Sequence, residues 1–274
     1  MSTVHQPVRA SIRIDAPPAT VYAALTDADA MRRWFAEYAD IAPDQGRYAF
    51  WGRYTPGPAR PAQRLVHVDP GRLLRLDWEL SGTTTRVEIA LEGTGTGPTD
   101  VRVTHEPAPA GSALTRFWTL ALGVLAEHTE GRVLSPRYDL TPVTDGVARA
   151  RIPIKADRDA VFACLTDPRS VAKWAGEAAS VQAEVGGHYD LGWGPGPGRI
   201  RVLERGRELA HTWPRSDALV RWRLFDSGHC TRLELTHGPF DDTTLAAALQ
   251  GDWQRSLRAL RRVGESRGGR PATV

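Results

Sequence analysis

Histidine and tryptophan are the side chains of this 274-residue sequence best suited to chemistry or to holding a flat guest. Four histidines, His67, His105, His211 and His237, fall on the apolar parity of alternating segments. A neutral imidazole on an apolar wall can serve as a general acid or base near neutral pH. The same parity carries Tyr48, Phe50 and Trp78 early in the chain and Tyr189, Trp213 and Trp222 later. Trp193 stands in a Gly-Pro-rich loop, and Trp118 and Trp253 lie on segments of helical period. Apolar walls with a few convergent polar groups suit a small hydrophobic, aromatic or polycyclic ligand. Two inward histidines could also bind a metal, but no carboxylate or thiolate shares their face, so no metal is expected. No Ser-His-Asp set, phosphate-cradling loop or carboxylate pair stands out, and no cofactor is implied. Gly192 to Gly198 is glycine-rich, yet its prolines remove backbone donors; it reads as a loop placed to cover a cavity.

Each candidate has a plainer reading. His105 and His237 sit in matching Thr-His-x-Pro segments, where a hydrogen-bonded core histidine is the leading expectation and ligand contact the second. His67 and His211 have no histidine counterpart in the other half of the chain; ligand contact or catalysis stays open beside a packing role. Trp34 and Trp174 follow short helices and are expected to pack the core. Trp78 and Trp213 could be core or pocket wall.

The elements that must position these residues come twice. Ala10 to Glu37 returns as Ala150 to Glu177 without a gap, with Ile12, Ile14, Val21, Leu25, Thr26, Asp27 and Trp34 among the identities. A repeat of this length means two copies of one unit. In the first copy Ile12 and Ile14 mark a half-buried strand, Pro17-Pro18 stops it and opens a helix, and Asp29 is placed to cap a second short helix. The period then becomes two: Tyr48 with Phe50, Leu65 with His67, Leu74 through Leu80, Val87 through Leu91, Val101 through His105. These are successive strands of an antiparallel meander with one wet face. Leu114, Trp118, Leu122 and Leu125 restore the helical period. The second copy repeats this order and closes on Leu245, Leu249, Trp253, Leu257 and Leu260, with Asp241 and Asp242 at the helix start. The expectation is an α+β protein of two tandem domains, each a curved antiparallel sheet around a long C-terminal helix. The expected divisions are 1–135 for domain 1, 136–147 for a linker, 148–265 for domain 2, and a disordered tail at 266–274.

Bulk properties fit this. The charge is near balance at +3 and the arginines are dispersed, so no nucleic-acid surface is expected. Arg255, Arg258, Arg261 and Arg262 read as a solvated helix face. Two cysteines, Cys164 and Cys230, make no disulfide framework. No signal peptide and no apolar stretch long enough for a bilayer are evident, so a cytoplasmic protein without membrane insertion is expected. Oligomeric state is not readable, although two such copies can pack as an intramolecular pseudo-dimer.

The opening pattern Ile-x-Ile-x-Ala-Pro-x-x-x-Val-Tyr-x-Ala-Leu-Thr-Asp with Trp34 downstream, the Gly-x-Tyr strand and the Thr-His-x-Pro strand end resemble the SRPBCC superfamily, in the START/polyketide-cyclase group. The nearest branch is similar to homologues of the activator of the heat-shock-chaperone ATPase. The resemblance implies a helix-grip fold with an apolar cavity, and members that bind lipids, hormones or polyketides. Three functions follow as expectations: binding of a hydrophobic or polycyclic molecule; polyketide cyclase, aromatase or dehydratase chemistry with the four histidines as proton shuttles; or a chaperone-regulating protein-binding module. Neither the ligand nor the number of working cavities can be read from the sequence.

Overall fold

The two copies form two units, 1–141 and 142–274, in a computed structural model that describes residues 7–108, 114–193 and 196–268. In the first, β1 (Val8–Ile14) ends at the proline pair, and α1 (Pro18–Thr26) takes Pro17 as its N-cap and Pro18 in its first turn. The cap of α2 (Ala28–Trp34) is Asp27, not Asp29: its carboxylate accepts the Ala30 N–H at 2.7 Å, while Asp29 sits in the first turn. Trp34 secures α2 to α1 by donating its indole N–H to the Ala24 carbonyl at 2.8 Å.

A ribbon of β2 (Tyr38–Ala42) and β3 (Arg47–Trp51) follows. The meander of β4 (Gln63–Asp69), β5 (Leu73–Leu80), β6 (Thr83–Glu92) and β7 (Thr99–Glu106) pairs with β1 in the order β1-β7-β6-β5-β4, antiparallel throughout. Alternation holds along β5 to β7: Leu74, Leu76, Val87, Ile89, Val101 and Val103 are buried, and Arg75, Arg86 and Arg102 face outward to pair with carboxylates. Burial of each such aliphatic side chain contributes about 1.5–3 kcal/mol.

The closing helix α3 (Leu114–Thr129) lays Trp118, Leu122 and Leu125 on the sheet, and it also buries Leu120 and Val124 on its far side. The reason is the chain beyond it. Residues expected to be linker fold back over domain 1: Arg137 donates to the carbonyls of Arg32 (2.6 Å) and Ala36 (2.5 Å), its guanidinium lies 3.9 Å from the Tyr54 ring centroid, and Leu140 N–H bonds the Arg53 carbonyl. An arginine thus satisfies the open carbonyls at the end of α2.

The second unit repeats the plan with β8 (Ala148–Ile154), α4 (Arg158–Thr166), α5 (Pro168–Ala175), β9 (Ser180–Val181), β10 (His188–Asp190), β11 (Gly198–Glu204), β12 (Glu208–Thr212), β13 (Leu219–Ser227), β14 (Cys230–Gly238) and α6 (Thr243–Gly268). Here all strands join one sheet, β8-β14-β13-β12-β11-β10-β9. Asp242 caps α6 through the Thr244 N–H at 2.8 Å. Three expectations change. Leu245 is 44% exposed, so the buried stripe starts later, with Trp253, Leu257 and Leu260. Arg261 is not on a solvated face: it is buried and paired with Glu265 at 2.8 Å. The helix runs through Ser266, where a tail was expected, to Gly268, and 269–274 lie outside the described residues. Each unit is an α+β helix-grip domain, with its core between sheet and closing helix.

Candidate functional site

Cross-strand register places the inward histidines. In domain 1 one row runs Leu65, Leu76, Val87, His105, Val8 across β4, β5, β6, β7 and β1. His105 is wholly buried, and each ring nitrogen has a partner. The Trp118 indole N–H donates to Nδ1 at 3.1 Å, so the ring proton resides on Nε2. Nε2 is 2.8 Å from Thr85 Oγ1, whose own hydroxyl donates to the Trp78 carbonyl at 2.8 Å. The relay Trp118–His105–Thr85 ends on the Trp78 carbonyl with every member partnered. Tyr48 is closed off too, donating to the Leu25 carbonyl at 2.9 Å.

In domain 2 the matching row is Ile200, His211, Val220, His237, Ala148. His237 again accepts the indole N–H of the closing helix, from Trp253 at 3.0 Å, and again keeps its proton on Nε2. Two substitutions then change the chemistry. Ala218 stands where Thr85 stands, two residues before the row and opposite Trp213, so no hydroxyl receives the Nε2 proton. His211 stands where Leu76 stands. It directs Nδ1 to the Thr212 carbonyl at 3.2 Å, which fixes the proton on Nδ1 and leaves Nε2 as an acceptor. Tyr189 occupies the place of Tyr48 without its carbonyl partner. Tyr189 Oη, His211 Nε2, His237 Nε2 and Trp222 Nε1 are all buried with no protein partner; in domain 1 the aromatic counterpart of this set is Trp78 Nε1.

Burial sets the charge state. It lowers His105 to about 4 and His211 to about 4, and His237, which also feels His211, to about 3. All three are neutral at pH 7. Burial raises the Tyr189 phenol well above its ordinary value, so it keeps its proton.

Rings fill the wedge in both domains. In domain 1 Phe35 contacts Phe50, Phe117 and Trp118, and Trp78 stacks on His105 with centroids 5.5 Å apart. In domain 2 Trp222 meets Trp174 and Trp253 at 5.8 and 5.3 Å, Trp253 meets Trp193 and Trp213 at 5.3 and 6.2 Å, and Trp213 lies 4.6 Å from His237. Of these five tryptophans Trp193 is the exposed one, at 41%, with its N–H on the Ala175 carbonyl. The cavity that the resemblance implies is small in both domains. The space among Leu25, Tyr48, Phe50 and Trp118 amounts to ≈ 10 Å³, and that among Tyr189, Trp193, His211 and Trp213 is of equal size. Each has room for about one water-sized group. The first is lined wholly by apolar carbon apart from Tyr48 and indole edges, whereas the second carries unpaired polar atoms.

His67 does not belong with the others. A bulge between Leu65 and His67 shifts the register, so His67 pairs with Arg75 on the wet face and is exposed, while Val68 turns inward. It is no cavity acid or base. The matching bulge between Ile200 and Val202 keeps the row containing His211 inward. Tyr48, Phe50, Trp78, Trp118, Tyr189, Trp213, Trp222 and Trp253 do face the interior of their domains. In the Gly192–Gly198 loop, Gly194 and Pro195 lie outside the described residues. Thr85 and Ala218 escaped the sequence reading, as did Phe35 and Phe117. Thr85 shares the parity of Val87 and Ile89, a signal available in the sequence.

Comparison with known proteins agrees with this architecture. Residues 5–131 match the family model "Polyketide cyclase / dehydrase and lipid transport", and residues 155–265 match "Activator of Hsp90 ATPase homolog 1-like protein". No curated protein matches the chain. Among solved structures, DynU16 from the dynemicin biosynthetic locus is 19% identical over 96% of this chain and 98% of its own, with a TM-score of 0.36. An Aha1 protein from Colwellia psychrerythraea is 21% identical over 43% of this chain and 96% of its own (TM-score 0.39). An AHSA1-like protein from Rhizobium etli is 28% identical over 47% of this chain and 88% of its own (TM-score 0.38). At the level of the family the two family-model matches support a ligand-binding or chaperone-activator module. Among the described residues no helix is long and apolar enough to cross a membrane. Two helix-grip domains in tandem, each matched by a model of the same superfamily, make this chain a member of the SRPBCC superfamily with a branch similar to the activator of the Hsp90 ATPase.

Proposed function

We propose that the second domain binds an aromatic small molecule in the wedge between its sheet and α6, and that the first domain is a closed scaffold. One observation carries this reading: Tyr189, His211 and His237 hold unpartnered polar atoms at buried positions, whereas Tyr48 and His105, at the matching places in domain 1, are satisfied. Each unmet buried group costs about 1–3 kcal/mol. A duplicate that satisfies these groups indicates that the fold does not require the expense, and a bound molecule is the natural recipient.

The guest's ring takes the place of Trp193, whose exposed indole lies between Trp174 and Trp253. Offset or edge-to-face contact with those rings contributes about 0.5–1.5 kcal/mol per pair beyond burial. His211 and His237, neutral far below pH 7, act here as hydrogen-bonding groups; a base of such low affinity for protons takes one weakly at neutral pH, which argues against the proton-shuttle chemistry of a cyclase or dehydratase. Two free thiols, Cys164 and Cys230, suit a reducing compartment such as the cytoplasm.

The test is a titration of naphthalene and naphthol into the full chain, followed by tryptophan fluorescence. Saturable quenching by both compounds is the expected result; no saturable change with either compound contradicts the proposal.

A further inference from the structure

Resting on the reading of domain 2 as the binding domain, a narrower feature of the same site defines what the ligand must carry. The rings of Tyr189 and His211 stack with centroids 4.3 Å apart and planes 25° apart, and both line the small cavity beside Trp193 and Trp213. Both are buried, at 2% and 1% exposure, and Tyr189 Oη and His211 Nε2 have no protein partner. Their roles are complementary. The phenol O–H donates, and Nε2 accepts, because its ring proton is committed to the Thr212 carbonyl.

We infer that this cavity is a subsite for one uncharged hydroxyl group, so that the ligand is a phenol or an alcohol on an aromatic body, its O–H donating to His211 Nε2 and its oxygen accepting from Tyr189 Oη. The size fits: ≈ 10 Å³ takes one oxygen-sized group and excludes a ring. A hydroxyl is the small group that offers a donor and an acceptor at one atom. An ether or ketone meets Tyr189 alone, and a hydrocarbon meets neither. An anion is disfavoured, because Asp190, whose carboxylate holds the Gly192 N–H at 2.8 Å, is among the lining residues, and none of the described residues lining the cavity is cationic. In domain 1 the same place holds Leu76, and the Tyr48 hydroxyl is spent on Leu25, so the subsite belongs to domain 2.

The test uses four probes on the full chain: naphthol, methoxynaphthalene, naphthoate and naphthalene. Naphthol is expected to bind about tenfold more tightly than methoxynaphthalene or naphthalene, with naphthoate weakest. His211→Leu, which installs the domain 1 residue, should bring naphthol to the level of methoxynaphthalene and leave naphthalene unchanged; Tyr189→Phe should weaken naphthol and methoxynaphthalene together. Because the probe series is run on the unmodified chain, it decides even if a variant folds poorly. Equal binding of naphthol and naphthalene overturns the hydroxyl subsite while leaving domain 2 as the binding domain, and is the outcome expected if a retained water fills the cavity. Binding of none of the four overturns both.

Discussion

Thr85 Oγ1 lies 2.8 Å from His105 Nε2, and it completes a relay that leaves the domain 1 histidine with no unmet group. Where the second domain has Ala218, a methyl group replaces that hydroxyl, and the Nε2 proton of His237 has no protein acceptor. One hydroxyl therefore separates a core histidine from one held ready. Thr85→Ala should destabilise domain 1 by about 1–3 kcal/mol, the cost of an orphaned buried donor. Ala218→Thr should stabilise domain 2 by about 1 kcal/mol. Urea unfolding of the full chain, with the domains resolved by hydrogen exchange, reads both; a stabilising Thr85→Ala would contradict the relay.

Stability should fall in acid, and faster in domain 2. Burial holds His105 and His211 at about 4 and His237 at about 3, below the ordinary histidine value of about 6.5. A depressed folded pKa gives stability that is full above 6.5 and lost as pH falls from there toward 4, because the unfolded chain takes up protons that the native one refuses. The limiting slope is about 1.4 kcal/mol per pH unit for each histidine. Two deeply buried histidines in domain 2 against one in domain 1, where the half-buried His128 is also lowered, predict a steeper loss for domain 2 between pH 6.5 and 4. His211→Leu should flatten it, as read from unfolding midpoints across that range.

Arg137 places a cation on the end of α2 and against Tyr54. Arg137→Ala should cost domain 1 about 1–3 kcal/mol, and Arg137→Lys should restore only part of it, since an ammonium can replace Nη1 at both carbonyls but cannot lay a planar cation on the Tyr54 ring. Protection of the Leu140 amide from hydrogen exchange is the local readout, because that N–H is bonded to Arg53 within the same folded-back segment.

Trp193 is the exposed wall of the tryptophan cluster. Trp193→Ala should raise affinity for naphthalene several-fold, because the guest no longer displaces an indole, while lowering the melting temperature slightly. A loss of binding on this substitution would make Trp193 a contact rather than the occupant of the guest's place.

The repeat, the strand parities and the two closing helices were legible in the sequence because each is a local pattern, read from residues such as Ile14, Leu76 and Trp253 and their neighbours. His67 was not, since a bulge reverses parity without leaving a mark on residue type. The filling of the wedge was not legible either: Phe35 follows a helix and Phe117 sits beside Trp118, and their meeting depends on tertiary packing. The contrast between the two domains lay in the open. Thr85 against Ala218 and Leu76 against His211 are visible once the strands are aligned, but their meaning needs the register that brings Thr85 to His105.

The central claim, that domain 2 binds and domain 1 does not, is met most directly by native mass spectrometry of the full chain with naphthol. One bound molecule per chain is predicted, its affinity unchanged in Tyr48→Phe and weakened about tenfold in the double substitution Tyr189→Phe with His211→Leu. Two molecules per chain, or an affinity unchanged by the domain 2 substitutions and weakened by Tyr48→Phe, would contradict it.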